Sequence, residues 1–156
     1  MEHNFEQLKS HILPLSVSKS FELARGEWRL IGIEVSEEFD NCPCGKQIKE
    51  HCYIRNSLNG NTTYVGNVCV NRFLEIETGN LFAGLKRIMQ FNTANANKDL
   101  IDYANKAGYL FEGEFKFLMQ TRHRKKLSIK QIEWKKKINR RIINKIVVRR
   151  RSARAG

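Results

Sequence analysis

The sequence predicts an α+β chain: a β-rich first half built around a hairpin, then three or four helices, the last of them long and strongly basic. Three observations lead there. β-prone runs between residues 28 and 65 flank an Asn-Gly turn, apolar spacing becomes helical from about residue 80, and charge is segregated between the two halves. Residues 1–80 carry eight basic and eleven acidic side chains, a net −3, whereas residues 81–156 carry twenty and five, a net +15. With 156 residues, 41% of them apolar and only two prolines, the chain has enough material for a folded core and is neither low-complexity nor fibrous.

Taken in order, residues 1–27 form an N-terminal segment. Phe5, Leu8 and Ile12 are spaced as the inner stripe of a short helix that must end before Pro14. A second segment, 28–79, opens with Trp28–Val35 as a strand. The acidic run Glu37-Glu38-Phe39-Asp40 leads to Cys42-Pro43-Cys44-Gly45, and strands over 52–55 and 62–65 flank Asn59-Gly60 as a hairpin. Gly66-Asn67-Val68 then opens a short helix through Leu74.

Residues 80–148 are helical. Leu81, Phe82, Leu85, Ile88 and Met89 share one face. After the polar break 92–97, Leu100, Ile101 and Ala104 lie on a second helix closed by Gly108. Phe111, Phe115, Leu118 and Met119 suggest a third. Ser128 with Gln131 is a capping box that opens a long basic helix, whose Trp134, Ile138, Ile142 and Ile146 repeat at i+4. Residues 149–156 read as a basic, disordered tail.

All four cysteines, Cys42, Cys44, Cys52 and Cys69, fall within 28 residues. No basic n-region or apolar h-region opens the chain, so a secretory leader is not expected, and the clustering favours metal over disulfide. Four thiolates suit a tetrahedral Zn²⁺. In Cys-Pro-Cys-Gly, proline holds one φ and glycine permits a positive one, so backbone N–H groups can turn toward sulfur. Cys69, at a helix start, gains from the N–H groups and dipole there. The competing readings are four buried, unligated thiols or a redox pair. A full four-ligand shell makes the metal structural rather than catalytic.

Knuckle, hairpin and a cysteine at a helix N-terminus follow the order of parts in a treble-clef zinc finger. From Cys42 to Phe73 the chain resembles small treble-clef zinc-binding proteins of bacterial and phage or prophage genomes, with a Cys-Gly knuckle and a Val65-Gly66-Asn67-Val68-Cys69 helix start. It departs in its C-x-C knuckle and in having Asn67 and Arg72 where a second helix ligand would stand. The resemblance therefore implies a fourth ligand from the hairpin. Cys52 is the choice and His51 the alternative, because strand neighbours point to opposite faces.

No catalytic residues are assigned. A metal nuclease built on such a finger needs a histidine base beside a metal, and of His3, His11, His51 and His123 only His51 lies near the hairpin. No nucleophile triad or phosphate loop is legible, so the chain reads as non-enzymatic, with a minimal metal-dependent nuclease as the third choice. The basic excess points instead to an anionic partner, DNA or RNA. Arg122, Arg124, Lys125, Lys126, Lys130, Lys135, Lys136, Lys137, Arg140, Arg141, Lys145, Arg149, Arg150 and Arg151 are the candidate phosphate contacts. Arg55, Asn56, Asn59 and Asn61 at the hairpin tip are candidates for base edges, although Asn and Gly there also suit a turn. The rival is a phage-type effector that binds a host protein machine, such as RNA polymerase or a nuclease. No apolar run approaches a membrane span, so a cytoplasmic location is expected.

Overall fold

A computed structural model of the chain describes residues 2–149 and shows a mixed α+β protein. The chain divides after Thr78 into two compact units.

In the first unit, α1 (Glu2–Ile12) precedes a single 3₁₀ turn (Leu13–Leu15) and α2 (Phe21–Arg25). Helix α1 forms as its apolar spacing requires, with Leu8 and Ile12 fully buried. An antiparallel sheet follows in the order β1-β2-β3, from β1 (Trp28–Asn41), β2 (Gln47–Asn56) and β3 (Thr62–Gly66). Helix α3 (Asn67–Leu74) completes the unit. Ile33, Ile54, Val65, Val70 and Phe73 form its core with Phe21, whose ring lies 5.5 Å from Phe5 and 5.4 Å from Phe73.

Strand β1 is longer than its β-prone run, because irregularities between Leu30 and Gly32 and between Val35 and Asp40 absorb the acidic stretch without ending the pairing. The hairpin is closed by the five residues 57–61 rather than by a two-residue turn. Asn56 N–H donates to Asn61 O and Gly60, at φ +80°, donates to Asn56 O. The carboxylate of Glu27, itself buried, accepts from Val17 N–H, Ser18 N–H and Asn56 Nδ2 at 2.8–2.9 Å. This latch joins the N-terminal segment to the sheet.

The second unit contains α4 (Gly79–Gln90), α5 (Lys98–Ala107), α6 (Glu112–Thr121) and α7 (Ile129–Ile143). Leu81, Phe82, Leu85 and Ile88 face its core, but Met89 is exposed. Gly108, at φ +84°, ends α5 as expected. Phe111 stands at the N-cap of α6 and is exposed, and the buried apolar positions there are Phe117 and Leu118. The capping box forms: Ser128 Oγ accepts from Gln131 N–H at 3.2 Å and Gln131 Oε1 accepts from Ser128 N–H at 3.0 Å.

Helix α7 stops at Ile143, short of the predicted end. Lys145 takes a left-handed φ of 55°, Ile146 N–H donates to Arg141 O and Lys145 N–H to Ile142 O, a Schellman closure made without glycine. Only Ile138 and Ile142 of the predicted stripe are buried; Trp134 and Ile146 are exposed. Trp134 still stacks on Phe117, with ring centroids 4.3 Å apart. Val148 and Arg149 return to hydrogen-bond Gly108 O. Apart from Arg149, the predicted tail lies outside the described residues.

Candidate functional site

The chain turns sharply after β1. Gly45 N–H donates to Cys42 O and Cys42 N–H to Lys46 O, both at 2.8 Å, and Gly45 adopts φ +100°, a conformation that favours glycine. Two backbone donors reach one sulfur, one from this knuckle and one from the end of β3: Cys44 N–H lies 3.5 Å and Gly66 N–H 3.3 Å from Cys42 Sγ. Asn4 of α1 donates its Nδ2 to Cys44 O at 2.8 Å, which fixes the turn from outside. The hairpin brings Gly66 beside the knuckle, and α3 starts at the next residue, so Cys69 stands in its first turn.

The sulfurs of Cys42, Cys44 and Cys69 lie within 4.8 Å of one another, and Cys42 Sγ and Cys69 Sγ are 3.7 Å apart. Four sulfurs placed tetrahedrally about an ion at about 2.3 Å would be roughly 3.8 Å apart. The donor set and its spacing therefore fit a metal ion, and these three cysteines could hold one. Among the described residues, no other group of three or more His, Cys, Asp or Glu side chains gathers its ligand atoms this closely.

The electrostatics agree. The hydrogen bond from the Cys69 thiol, helped by the N–H groups of Cys44 and Gly66, outweighs burial and lowers the Cys42 thiol to about 5. Cys69, donating that bond, is pushed upward. A metal ion replaces such a shared proton by neutralising both sulfurs. The three cysteines also line a cavity of about 520 Å³ with Phe5, Ile48 and Val68.

The predicted fourth ligand is not in this group. Cys52 is fully buried in the middle of β2, opposite Ile33 on β1 and Val65 on β3, and burial pushes its thiol up to about 12. A thiol that resists ionisation in this way behaves as a small core side chain. His51, the alternative, is also outside the group. Its Nε2 lies 3.2 Å from Asp40 Oδ2, and its ring centroid is 5.1 Å from that of Tyr64. Sequence reasoning missed Asn4 and Gly66 as supports; Gly66 is marked only by its place at a strand-to-helix junction.

At the hairpin tip, Asn56 is fully buried on Glu27, and Asn59 and Asn61 both donate to Leu15 O. The asparagines proposed for base edges hold the turn instead. His11 Nε2 sits 2.7 Å from Thr63 Oγ1.

The basic residues divide into two classes. Arg124, Lys125, Lys126, Lys130, Lys137, Arg140 and Lys145 are exposed, and Arg122 and Lys136 are half-buried. Lys136 pairs with Glu133 at 3.4 Å, and Arg149 donates to Asn105 O and Oδ1 at 2.6 Å. Lys135 and Arg141, by contrast, are buried and correct the expectation that they meet phosphates. Arg141 pairs with Glu114 and donates to Tyr109 O, and Lys135 donates to Asn95 Oδ1 and Thr121 Oγ1. The helical period places both inward beside Ile138 and Ile142, which a tally of charge cannot register. Arg150 and Arg151 lie outside the described residues.

Comparison with protein-family profiles, with curated proteins and with solved structures finds no match to this chain. Among the described residues, no helix is long and apolar enough to cross a membrane.

Proposed function

We propose that the chain is a zinc-stabilised nucleic-acid-binding protein that works by binding rather than by catalysis. Its first unit is a treble-clef-like finger, with Cys42 and Cys44 on the knuckle and Cys69 on the helix as protein ligands of one Zn²⁺. Thiolate chemistry favours zinc over a hard cation. The second unit contacts phosphates.

The observation that carries this reading is the segregation of charge, a net +15 after residue 80 against −3 before it. It survives the withdrawal of Lys135 and Arg141 into the interior, because eight of the predicted phosphate contacts, Arg149 included, are exposed on the second unit. A surface made for solubility alone normally mixes both signs.

A salt titration of binding to a labelled oligonucleotide tests the reading. With about six phosphates neutralised, log K should fall against log[salt] with a slope of about −5 on duplex DNA and about −4 on a single strand. Absence of binding at low salt, or affinity that ignores salt, would overturn it. Elemental analysis of protein purified without added metal should return about one zinc per chain.

A further inference from the structure

The second unit carries a concave basic surface lined by the α4–α5 and α6–α7 loops. Two adjoining cavities, of about 570 and 300 Å³, share Arg87, Asn95, Arg122 and His123. The larger is also lined by Arg124 and Lys125, and no carboxylate lines either one. Lys135 lies buried behind Asn95, with hydrogen bonds to the neutral oxygens of Asn95 and Thr121. Phe91, at the end of α4, belongs to the same lining and is 55% exposed.

The walls are preformed. Asn139, fully buried on α7, donates Nδ2 to Asn92 O at 2.9 Å and to Ala94 O at 3.0 Å, which secures the α4–α5 loop. Asn95 Nδ2 then donates to Arg124 O at 3.0 Å and ties that loop to the α6–α7 loop. A surface held in this way loses little conformational freedom on binding. Its composition, clustered cations around an exposed aromatic ring, matches what an unpaired strand needs: phosphates take the guanidinium and ammonium groups, and a base face takes the ring. A duplex offers its base faces to nothing outside the stack, so it cannot use Phe91.

We propose that this groove binds single-stranded nucleic acid, with Arg87, Arg122, Arg124 and Lys125 on successive phosphates and Phe91 stacked on a base. The proposal rests on the nucleic-acid reading above and gives it a location and a strand preference.

Fluorescence anisotropy of the full chain with labelled single-stranded DNA, single-stranded RNA and duplex DNA of one mixed 12-nucleotide sequence tests it. Either single strand should bind at least tenfold more tightly than the duplex, and the difference between the DNA and RNA arms identifies the sugar preferred. Phe91→Ala should weaken single-strand binding about tenfold at an unchanged salt slope. Phe91→Trp, with its larger ring, should bind at least as tightly as the parent. Arg122→Ala combined with Arg124→Ala should reduce the single-strand slope by about 1.4. Lys137→Ala with Arg140→Ala, exposed on α7 and outside the groove lining, should lower affinity for single strand and duplex alike and so leave the ratio between them unchanged. Groove variants that bind like the parent, while the α7 pair abolishes binding, would overturn the groove and spare the nucleic-acid reading. Failure of every probe to bind at low salt would overturn both.

Discussion

Cys52 and Cys69 are both expected as metal ligands, yet only Cys69 joins Cys42 and Cys44, and the difference lies in what surrounds each sulfur. Cys69 meets Cys42 Sγ at 3.7 Å, whereas Cys52 sits between Ile33 and Val65 with its thiol held neutral by burial. Cys52→Ala should therefore retain the full metal content and cost only about 1 kcal/mol of stability, a typical core truncation. Cys69→Ala should lose the metal. Elemental analysis of both variants decides, and loss of metal from Cys52→Ala would return that thiol to the ligand set. The Glu114–Arg141 pair is a second case of context over identity. Glu114 also accepts from Phe111 N–H at 2.9 Å and Trp134 Nε1 at 3.2 Å. Glu114→Ala leaves a buried guanidinium without its carboxylate and should cost roughly 3 kcal/mol in a denaturant titration.

At the scale of elements, α4 and α5 meet through a glycine that no helix propensity would favour. A Cβ at Gly84 would stand 2.6 Å from Asn97 Oδ1 and 2.8 Å from its Cγ. Asn97 cannot easily yield, because its Oδ1 caps α5 by accepting from Leu100 N–H at 2.9 Å and its Nδ2 donates to Asn80 O at 2.7 Å. Gly→Ala inside a helix normally adds about 1 kcal/mol of stability. Here Gly84→Ala should lower Tm instead, since displacing Asn97 costs the cap of α5, worth up to about 2 kcal/mol, together with the Asn97–Asn80 hydrogen bond. A rise in Tm would show that Asn97 moves aside freely.

The elements themselves were legible where local chemistry alone makes them. Phe5, Leu8 and Ile12 mark α1, Ser128 with Gln131 opens α7, and Gly108 ends α5. The end of α7 was not legible. Its Schellman closure puts Lys145 in the left-handed region, and nothing in a lysine announces that conformation. The inner face of α7 was also misjudged, because an i+4 ladder through Trp134 drifts off the face that the neighbouring helices bury.

For the molecule as a whole, each unit depends on a carboxylate held below the usual range. In the first unit, Glu27 is lowered chiefly by the hydrogen bond from Asn56, then by the N–H groups of Val17 and Ser18. In the second, burial pushes Glu114 up, but Arg141 with the N–H groups of Phe111 and Trp134 outweighs it. A carboxylate depressed in the folded state contributes stability that is fully present above its unfolded value, about 4.3, and is lost as pH falls through the folded one. Thermal melts from pH 7 to pH 3 should hold level to about pH 5 and then decline. In Glu114→Gln the decline should be shallower. Removal of the proposed zinc should act on the first unit only, since a metal held by Cys42, Cys44 and Cys69 would contribute its binding energy to folding there. Hydrogen exchange after chelation should rise across residues 41–74 and stay low in α4–α7.

The order of amino acids by itself determined a mixed α+β chain, the hairpin, the knuckle with its cysteine-led helix, and the uneven distribution of charge. Each of these follows from residues close together in the chain: β-prone runs about a turn, Pro and Gly at the knuckle, capping residues and a composition shift. Tertiary structure alone decided which three sulfurs converge, which cations point inward, and that two loops distant in sequence form one basic groove. Those outcomes depend on strand register and on which helix face is buried, and both are selected by packing among residues far apart along the chain.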